Sequence, residues 1–422
     1  HTYPRVTRVV RSMSKVVIIG AGFGGLGCAK NLVGAGGLES VTVVDAKDWF
    51  TIGGTWQYVW SGRIDKEAAK WPLQDAAAAF EGVDFKLNTT VASLDLAGKS
   101  VTLADGSTLP YDHLVLSPGV VGDASGIPGI NEALDMYSFD DVGRQEAELG
   151  TIIEKARAGE KQTLLVAIGA TPYKCPVAPF EAAFIADDKL RRLGVRHNVR
   201  VAVSSPVEWP LPDAARSVFE KMLLDKNVDF LPNMPLTKVD AGGTTAHFAD
   251  GSALEASRVW AIYPQMAPQF IKDAGITNPR GFVPVDIRTN RVKGHEDNGV
   301  FCIGDCCGIM VDGKPHPKAG EFAWQMGEMV ANVIKETEGY VHSRLGACIA
   351  ECGGGGGVLV APDLTAVVAD PDAGKAKCAV VEMGLRTGEE GKKDWVNKYV
   401  SLIFGEGGRR FSPAAAAVAT SA

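Results

Sequence analysis

What this 422-residue sequence lacks already narrows its class. No window approaches the roughly 18 to 20 uninterrupted apolar residues of a spanning helix, so any membrane contact is expected to be lateral. There is no basic excess: 43 Lys and Arg against 50 Asp and Glu leave a net charge of −7, and no positive field for nucleic-acid phosphates. Eight cysteines, at positions 28, 175, 302, 306, 307, 348, 352 and 378, are too scattered for a disulfide scaffold. Their spacings give no pair of C-x-x-C units with histidine partners, so no metal site is expected. Acidic residues are missing from the first 38 positions, where Arg5, Arg8, Arg11 and Lys15 stand instead. That lead-in, residues 1–14, fits an organellar transit remnant and equally a plain basic arm; a secretory apolar core is absent. What is present, 46% hydrophobic and 22% charged residues, describes a globular chain of two or three domains.

Lys15 to Ile19 is an apolar strand of the buried parallel type, followed by a glycine turn and a helix. Gly20, Gly22 and Gly25, with Gly24 beside them, fit the G-x-G-x-x-G fingerprint: a tight turn, close backbone approach to a pyrophosphate, and close packing of helix on strand. The next strand ends in Asp45, 20 residues after Gly25, where a carboxylate can bond ribose hydroxyls. Cys28, on the helix, is expected only to pack. Further on, Leu114–Leu116 ends in the small turn Ser117-Pro118-Gly119, and Gly299–Ile303 ends in Gly304-Asp305. The latter resembles the flavin-binding return strand of two-dinucleotide-domain flavoproteins, which implies FAD in a split domain, residues 15–125 and 275–340.

Between these halves, residues 126–274 repeat a βαβ rhythm, with strands expected at Thr163–Ile168, Asn198–Val203 and Val228–Leu231. Helices are expected at Ala182–Leu193 and Ala214–Lys226, which makes a second parallel sheet. Its first turn has no G-x-G-x-x-G. Pro172, Pro176 and Pro179 crowd it, removing N–H donors and stiffening the loop, so NAD is not expected there. Cys175 stands at the start of the following helix. Helix amides and the neighbouring Lys174 would favour its thiolate, as a nucleophilic or redox sulfur requires.

Beyond Gly304-Asp305, Lys318, Ala319 and Gly320 lead into a helix from Glu321, with Lys318 placed to balance charge on a reduced flavin. A hairpin follows, one strand carrying Cys348, then Cys352, a glycine run from Gly353 to Gly357, and a second strand. Spacing alone requires at most one of Cys348 and Cys352 to be catalytic. Cys302, Cys306 and Cys307 are expected to pack around the flavin turn, and Cys378 carries no signal. Lys392 to Phe404 is amphipathic at helical spacing, with Trp395, Tyr399 and Leu402 opposite Lys398 and Ser401. It suits either a membrane interface or docking on the protein's own sheet. Residues 341–411 form this C-terminal region, and 412–422 an Ala-rich tail expected to be disordered.

Together these motifs resemble the sulfide:quinone oxidoreductases and the flavoprotein subunit of flavocytochrome c sulfide dehydrogenase, over roughly residues 15–405. Tyr173 to Glu181 is similar to the segment bearing the family's first redox cysteine, Cys175, with its glutamate, Glu181, six residues later. Gly346 to Gly353 resembles the segment of the second, which selects Cys348. The resemblance implies an α/β fold with two Rossmann-like domains, the second without a functional NAD site. It also implies oxidation of sulfide to persulfide or polysulfide sulfur at a Cys175–Cys348 pair, proton handling by Glu181, and electrons passed through FAD to a quinone. Trp49 to Gly53 and Met136 to Phe139 lack the cysteine of covalently flavinylated members, so noncovalent FAD is expected. Pro206 to Pro212 lacks the histidines of some quinone-reducing members. A c-type cytochrome as acceptor, an NAD(P)H:quinone oxidoreductase, and a silent FAD-holding subunit are the rival expectations. A homo-oligomer or a place in an assembly is expected, at the mitochondrial inner-membrane periphery, with the chloroplast as the alternative.

Overall fold

The computed structural model describes residues 13–340, 342–384 and 387–414. The lead-in through residue 12 and the tail beyond 414 therefore lie outside the described residues. The first sheet is wholly parallel. In spatial order it contains Val300–Cys302, His113–Leu116, Ser14–Ile19, Leu38–Val44 and Val83–Lys86. Val16 to Ile19 are at most 4% exposed, as a central strand covered on both faces must be. The helix Phe23–Leu32 packs closely on the helix Gly320–Ile334. A Cβ at Gly327 would stand 2.2 Å from the Gly24 carbonyl oxygen, and one at Gly27 2.8 Å from that of Trp324. This glycine seam joins the two sequence-distant parts of the first domain.

The second sheet is also parallel, in the order Leu134–Asp135, Arg258–Ile262, Gln162–Ile168, Val199–Ser204 and Asp229–Leu231. Helices Val142–Arg157, Ala178–Arg192 and Arg216–Asp225 accompany it. The helix after the cysteine turn starts at Ala178, four residues earlier than the sequence pattern predicts, with Pro179 in its first turn where a missing N–H costs nothing.

The C-terminal region departs most from expectation. Its expected hairpin, Cys348–Glu351 with Gly357–Asp363, is extended by a third antiparallel strand, Lys377–Met383. The terminal helix spans Thr387–Phe404 and turns its apolar face inward, burying Val396, Tyr399, Val400, Ile403 and Phe404. Tyr399 lies edge-on to Phe23 at 4.9 Å, and the Trp395 indole N–H donates to Glu321 at 2.7 Å. Lys398, expected on the opposite face, reaches the other oxygen of the same carboxylate at 3.1 Å. The aromatics expected at a headgroup interface are spent on this internal packing. The described start of the expected tail is held in place: Phe411 is 2% exposed, and Ala414 exchanges two hydrogen bonds with Arg63.

Candidate active site

The turn after Ile19 is shaped by backbone contact. A Cβ at Gly20 would fall 2.2 Å from the Ser117 carbonyl oxygen, and one at Gly25 1.8 Å from that of Gly20, whereas Gly22 faces open space. A Cβ at Gly24 would meet the Ser117 hydroxyl at 2.7 Å, and Pro118 and Gly119 continue that neighbouring strand end. Gly22 caps the helix without any side-chain partner, leaving its first amides directed outward. Asp45 accepts from the Ala21 amide at 2.6 Å, which holds its carboxylate at the rim of the turn. An uncapped helix terminus beside a glycine with no neighbours and a carboxylate is a fit for a dinucleotide such as FAD.

In the second sheet the corresponding turn is closed. Gly169 donates its amide to Ile262 at 2.8 Å, and a Cβ there would lie 2.7 Å from the same carbonyl oxygen. The chain then runs past Pro172 and Tyr173 to Cys175, which stands three residues before the helix rather than on it. Its φ of +51° is left-handed, uncommon for a residue with a side chain. Three bonds hold it there: its amide donates to Lys318 at 2.7 Å, and its carbonyl accepts from the Tyr137 hydroxyl at 3.1 Å and the Ala178 amide at 2.9 Å. The bond to Lys318 ties the cysteine turn to the Lys318-Ala319-Gly320 turn of the first domain.

Cys348, at the head of its strand, meets Cys175. Both are free cysteines, half-buried as residues, and their thiols interact directly. That thiol–thiol interaction is the main reason the Cys175 thiol lies below its ordinary range, against burial and the Glu181 carboxylate, and the ammonium of Lys392 lowers it further. The same interaction, followed by burial, pushes Cys348 well up. Burial pulls the Lys174 pKa down, but Lys174 still feels the charge of Cys175, which raises it against burial. Its side chain extends over the rings of Tyr137 and Trp56.

Glu181 is 2% exposed and accepts two bonds on one oxygen, from the Glu351 amide at 2.7 Å and from Lys392 Nζ at 2.5 Å. Burial works against the Lys392 charge, but Glu181 and Cys175 outweigh it and raise the Lys392 pKa. Next to this pair lies a second buried acid, Glu351, bonded to the Tyr58 hydroxyl and to Arg63 at 3.2 Å. Burial raises its pKa as well. Lys392, Tyr58, Arg63 and Glu351 are absent from the sequence-derived set. The available signal was Gly388 and Gly391 on an otherwise good helix, marking a face that approaches other backbone.

Lys318 stands at the helix N-terminus, as expected. It is 6% exposed, stands before the helix that Ala319 caps, and its ammonium bonds the carbonyls of Asp305 and of Cys307, the latter at 3.0 Å. It thus pins the Gly304-Asp305 turn. Burial pushes the Asp305 carboxyl up against the pull of Lys318 and Lys174. Gly320 has no room for a side chain, since its Cβ would lie 2.8 Å from the Phe23 ring. Cys302, Cys306 and Cys307 pack beneath this turn, with 3.2 Å between the sulfurs of Cys302 and Cys306. Cys352 is 3% exposed, and burial pushes its pKa up to about 12.

Two parallel sheets, the first with an open glycine turn and the second with a closed turn that carries Cys175 towards Cys348, define a flavoprotein-type oxidoreductase architecture. Residues 14–327 match the family model described as pyridine nucleotide-disulphide oxidoreductase, and the chain belongs to that family. It is similar to the mitochondrial sulfide:quinone oxidoreductase of Dictyostelium discoideum, 26% identical over 71% of this chain and 66% of the relative. The solved sulfide:quinone oxidoreductase of Aquifex aeolicus shares the fold, with a TM-score of 0.75, 20% identity, and coverage of 93% and 92% of the two chains. A chain of the Tetrahymena thermophila mitochondrial ATP synthase also shares it, with a TM-score of 0.70, 17% identity, and coverage of 96% and 99%. The matches span about half to two thirds of the first curated relatives' length, 66% in Dictyostelium discoideum and 51% in Schizosaccharomyces pombe.

Proposed function

We propose that the chain oxidises sulfide to persulfide sulfur at the Cys175–Cys348 pair, with noncovalent FAD as the flavin and a quinone as the final acceptor. The observation that carries this reading is that Cys175 and Cys348, distant in sequence, pack against one core cluster with interacting thiols, while the Cys175 amide bonds the Lys318 turn. With the pair oxidised, HS⁻ attacks one sulfur; the Cys175–Cys348 bond breaks, a new S–S bond forms as a persulfide, and the other cysteine leaves as thiolate. The protein's own groups favour that charge separation through Lys392, while Glu181 holds the ammonium in place. Glu181 and Glu351 are the acids within reach for moving the sulfide proton. Gly20, Gly22, Gly24, Gly25, Asp45, Ser117, Pro118, Gly119, Gly304, Asp305, Ala319 and Gly320 would hold the FAD, which when bound supplies a two-electron acceptor. Lys318 would shape that pocket by fixing the Asp305 turn. The sulfide and quinone assignments rest on the names of the relatives, and so does a mitochondrial location.

A second reading, a flavin-holding subunit without turnover, is favoured by the near-complete overlap with a chain of the Tetrahymena thermophila ATP synthase. An anaerobic visible-spectrum titration separates the two. Sulfide at micromolar concentration is expected to bleach the flavin of the purified protein, and added short-chain quinone to restore it. Bleaching by NADH but not by sulfide would overturn the first reading. Indifference to both, with comigration in a large mitochondrial assembly, would establish the second. Restoration by cytochrome c but not by quinone would move the acceptor.

A further inference from the structure

We propose that Lys392 is a positioning residue for the sulfur chemistry: the C-terminal helix, seated on the glycine run, sets its ammonium against Glu181 and beside the Cys175–Cys348 pair. The proposal rests on the function proposed above for those cysteines, though its test does not.

The seat is built from glycine on both sides. A Cβ at Gly388 would lie 2.5 Å from the backbone of Gly356 and Gly357, and one at Gly357 would lie 2.9 Å from Gly388 Cα. The amide of Gly388 donates to the Gly355 carbonyl at 3.1 Å, so the first turn of the helix is bonded to the run. Lys392 follows Gly388 by four residues, one helical turn along the same face. Its stem passes Gly54, where a Cβ would be 3.1 Å from Lys392 Cε. At 5% exposure the ammonium ends 2.5 Å from Glu181 Oε1 and 2.9 Å from the Ile349 carbonyl oxygen, next to Cys348 on the same strand. A charge so deeply buried must be compensated. Glu181 meets it from the helix Ala178–Arg192, and Cys175 and Cys348 meet it from their turn and strand. The other ionisable groups that face the cysteines are Tyr137, Tyr173 and Lys174, while Glu351, Tyr58 and Arg63 pair with one another and Arg63 also with Glu389. Lys392 is thus a cation whose field reaches both sulfurs, Glu181 and, more weakly, Glu351. A fixed positive charge there favours thiolate at Cys175, and favours HS⁻ over a neutral thiol as the entering nucleophile.

The test follows alkylation of Cys175 by iodoacetamide in the reduced holoprotein, by mass spectrometry of its peptide across a pH series. Lys392→Gln is expected to move the profile upward by about one pH unit, so that alkylation near pH 7 slows about tenfold, and Lys392→Arg to restore it. An unchanged profile in a folded Lys392→Gln protein would overturn the proposal. Should that variant not fold, Glu181→Gln is compared with Glu181→Gln/Lys392→Met, which leaves no buried carboxylate unpaired. The double variant is expected to alkylate about tenfold more slowly at the same pH, and equal rates would again overturn the proposal. Because the readout needs neither sulfide nor turnover, a failed sulfide titration with a shifted profile refutes the function alone. Sulfide turnover with an unshifted profile refutes Lys392 alone.

Discussion

The turn after Ile19 and the turn after Ile168 occupy the same place in two parallel sheets of like design. In the first, Gly20 and Gly25 are filled by neighbouring carbonyls while Gly22 stays open to a ligand. In the second, the lone Gly169 is closed against Ile262, and the space beyond it goes to a left-handed cysteine held by Lys318, Tyr137 and Ala178. One βαβ geometry thus presents either an open glycine turn or a fixed cysteine, depending on whether the backbone after the strand is left bare or tied down.

The largest effect is expected where the second turn meets the hairpin. Cys348→Ser keeps the shape of the site but leaves no sulfur to bond with Cys175. Sulfide-dependent flavin bleaching, followed by anaerobic stopped flow, should slow by at least about a thousandfold while flavin content is unchanged. Bleaching at more than a tenth of the parental rate would remove Cys348 from the pair.

A smaller effect separates the two turns themselves. Gly25→Ala puts a methyl 1.8 Å from the Gly20 carbonyl oxygen and should cost about 3 kcal/mol with loss of bound flavin. Gly169→Ala meets Ile262 at 2.7 Å and should cost about 1–2 kcal/mol with flavin retained. Melting temperature and the flavin-to-protein absorbance ratio check both. If Gly169→Ala also lost flavin, the second turn would have a share in the cradle, and the contrast drawn between the turns would fail.

These turns were legible because glycine, proline and cysteine at fixed offsets from a strand act through local geometry. That Cys348 rather than Cys352 lies by Cys175 was legible only through family resemblance, since chain spacing left Cys352 open. Lys392 was not legible. At the start of an amphipathic segment it has the pattern of a solvated lysine, and its burial depends on Gly388 meeting Gly356 and Gly357, a contact made between distant parts of the chain. The same limit hid the third strand, Lys377–Met383, whose pairing with Gly357–Asp363 is tertiary. Lys174 was legible only in part: it feels the Cys175 charge as its adjacency suggests, but the rings of Tyr137 and Trp56 under its ammonium are tertiary neighbours that the sequence does not show.

The smallest expected effect concerns Cys352, four residues beyond Cys348. Strand periodicity would put positions 348, 350 and 352 on one face, but the strand ends at Glu351. The Cys352 amide instead turns to the Gly356 carbonyl at 2.8 Å, and its sulfur faces the Ala350 carbonyl at 3.5 Å. Burial holds this thiol protonated up to about 12, whereas the Cys175 thiol, with its pKa lowered, becomes thiolate below the usual range. The sign is therefore opposite for the two cysteines. As pH rises through neutrality, Cys175 gains thiolate and iodoacetamide reactivity, and Cys352 gains neither. Cys352→Ala should change the sulfide-dependent rate by less than about twofold and lower stability by about 1 kcal/mol for the small cavity. A loss comparable to that of Cys348→Ser would mean that the sulfur leaving the pair passes through Cys352, and that the end of this strand, rather than its head, faces the chemistry.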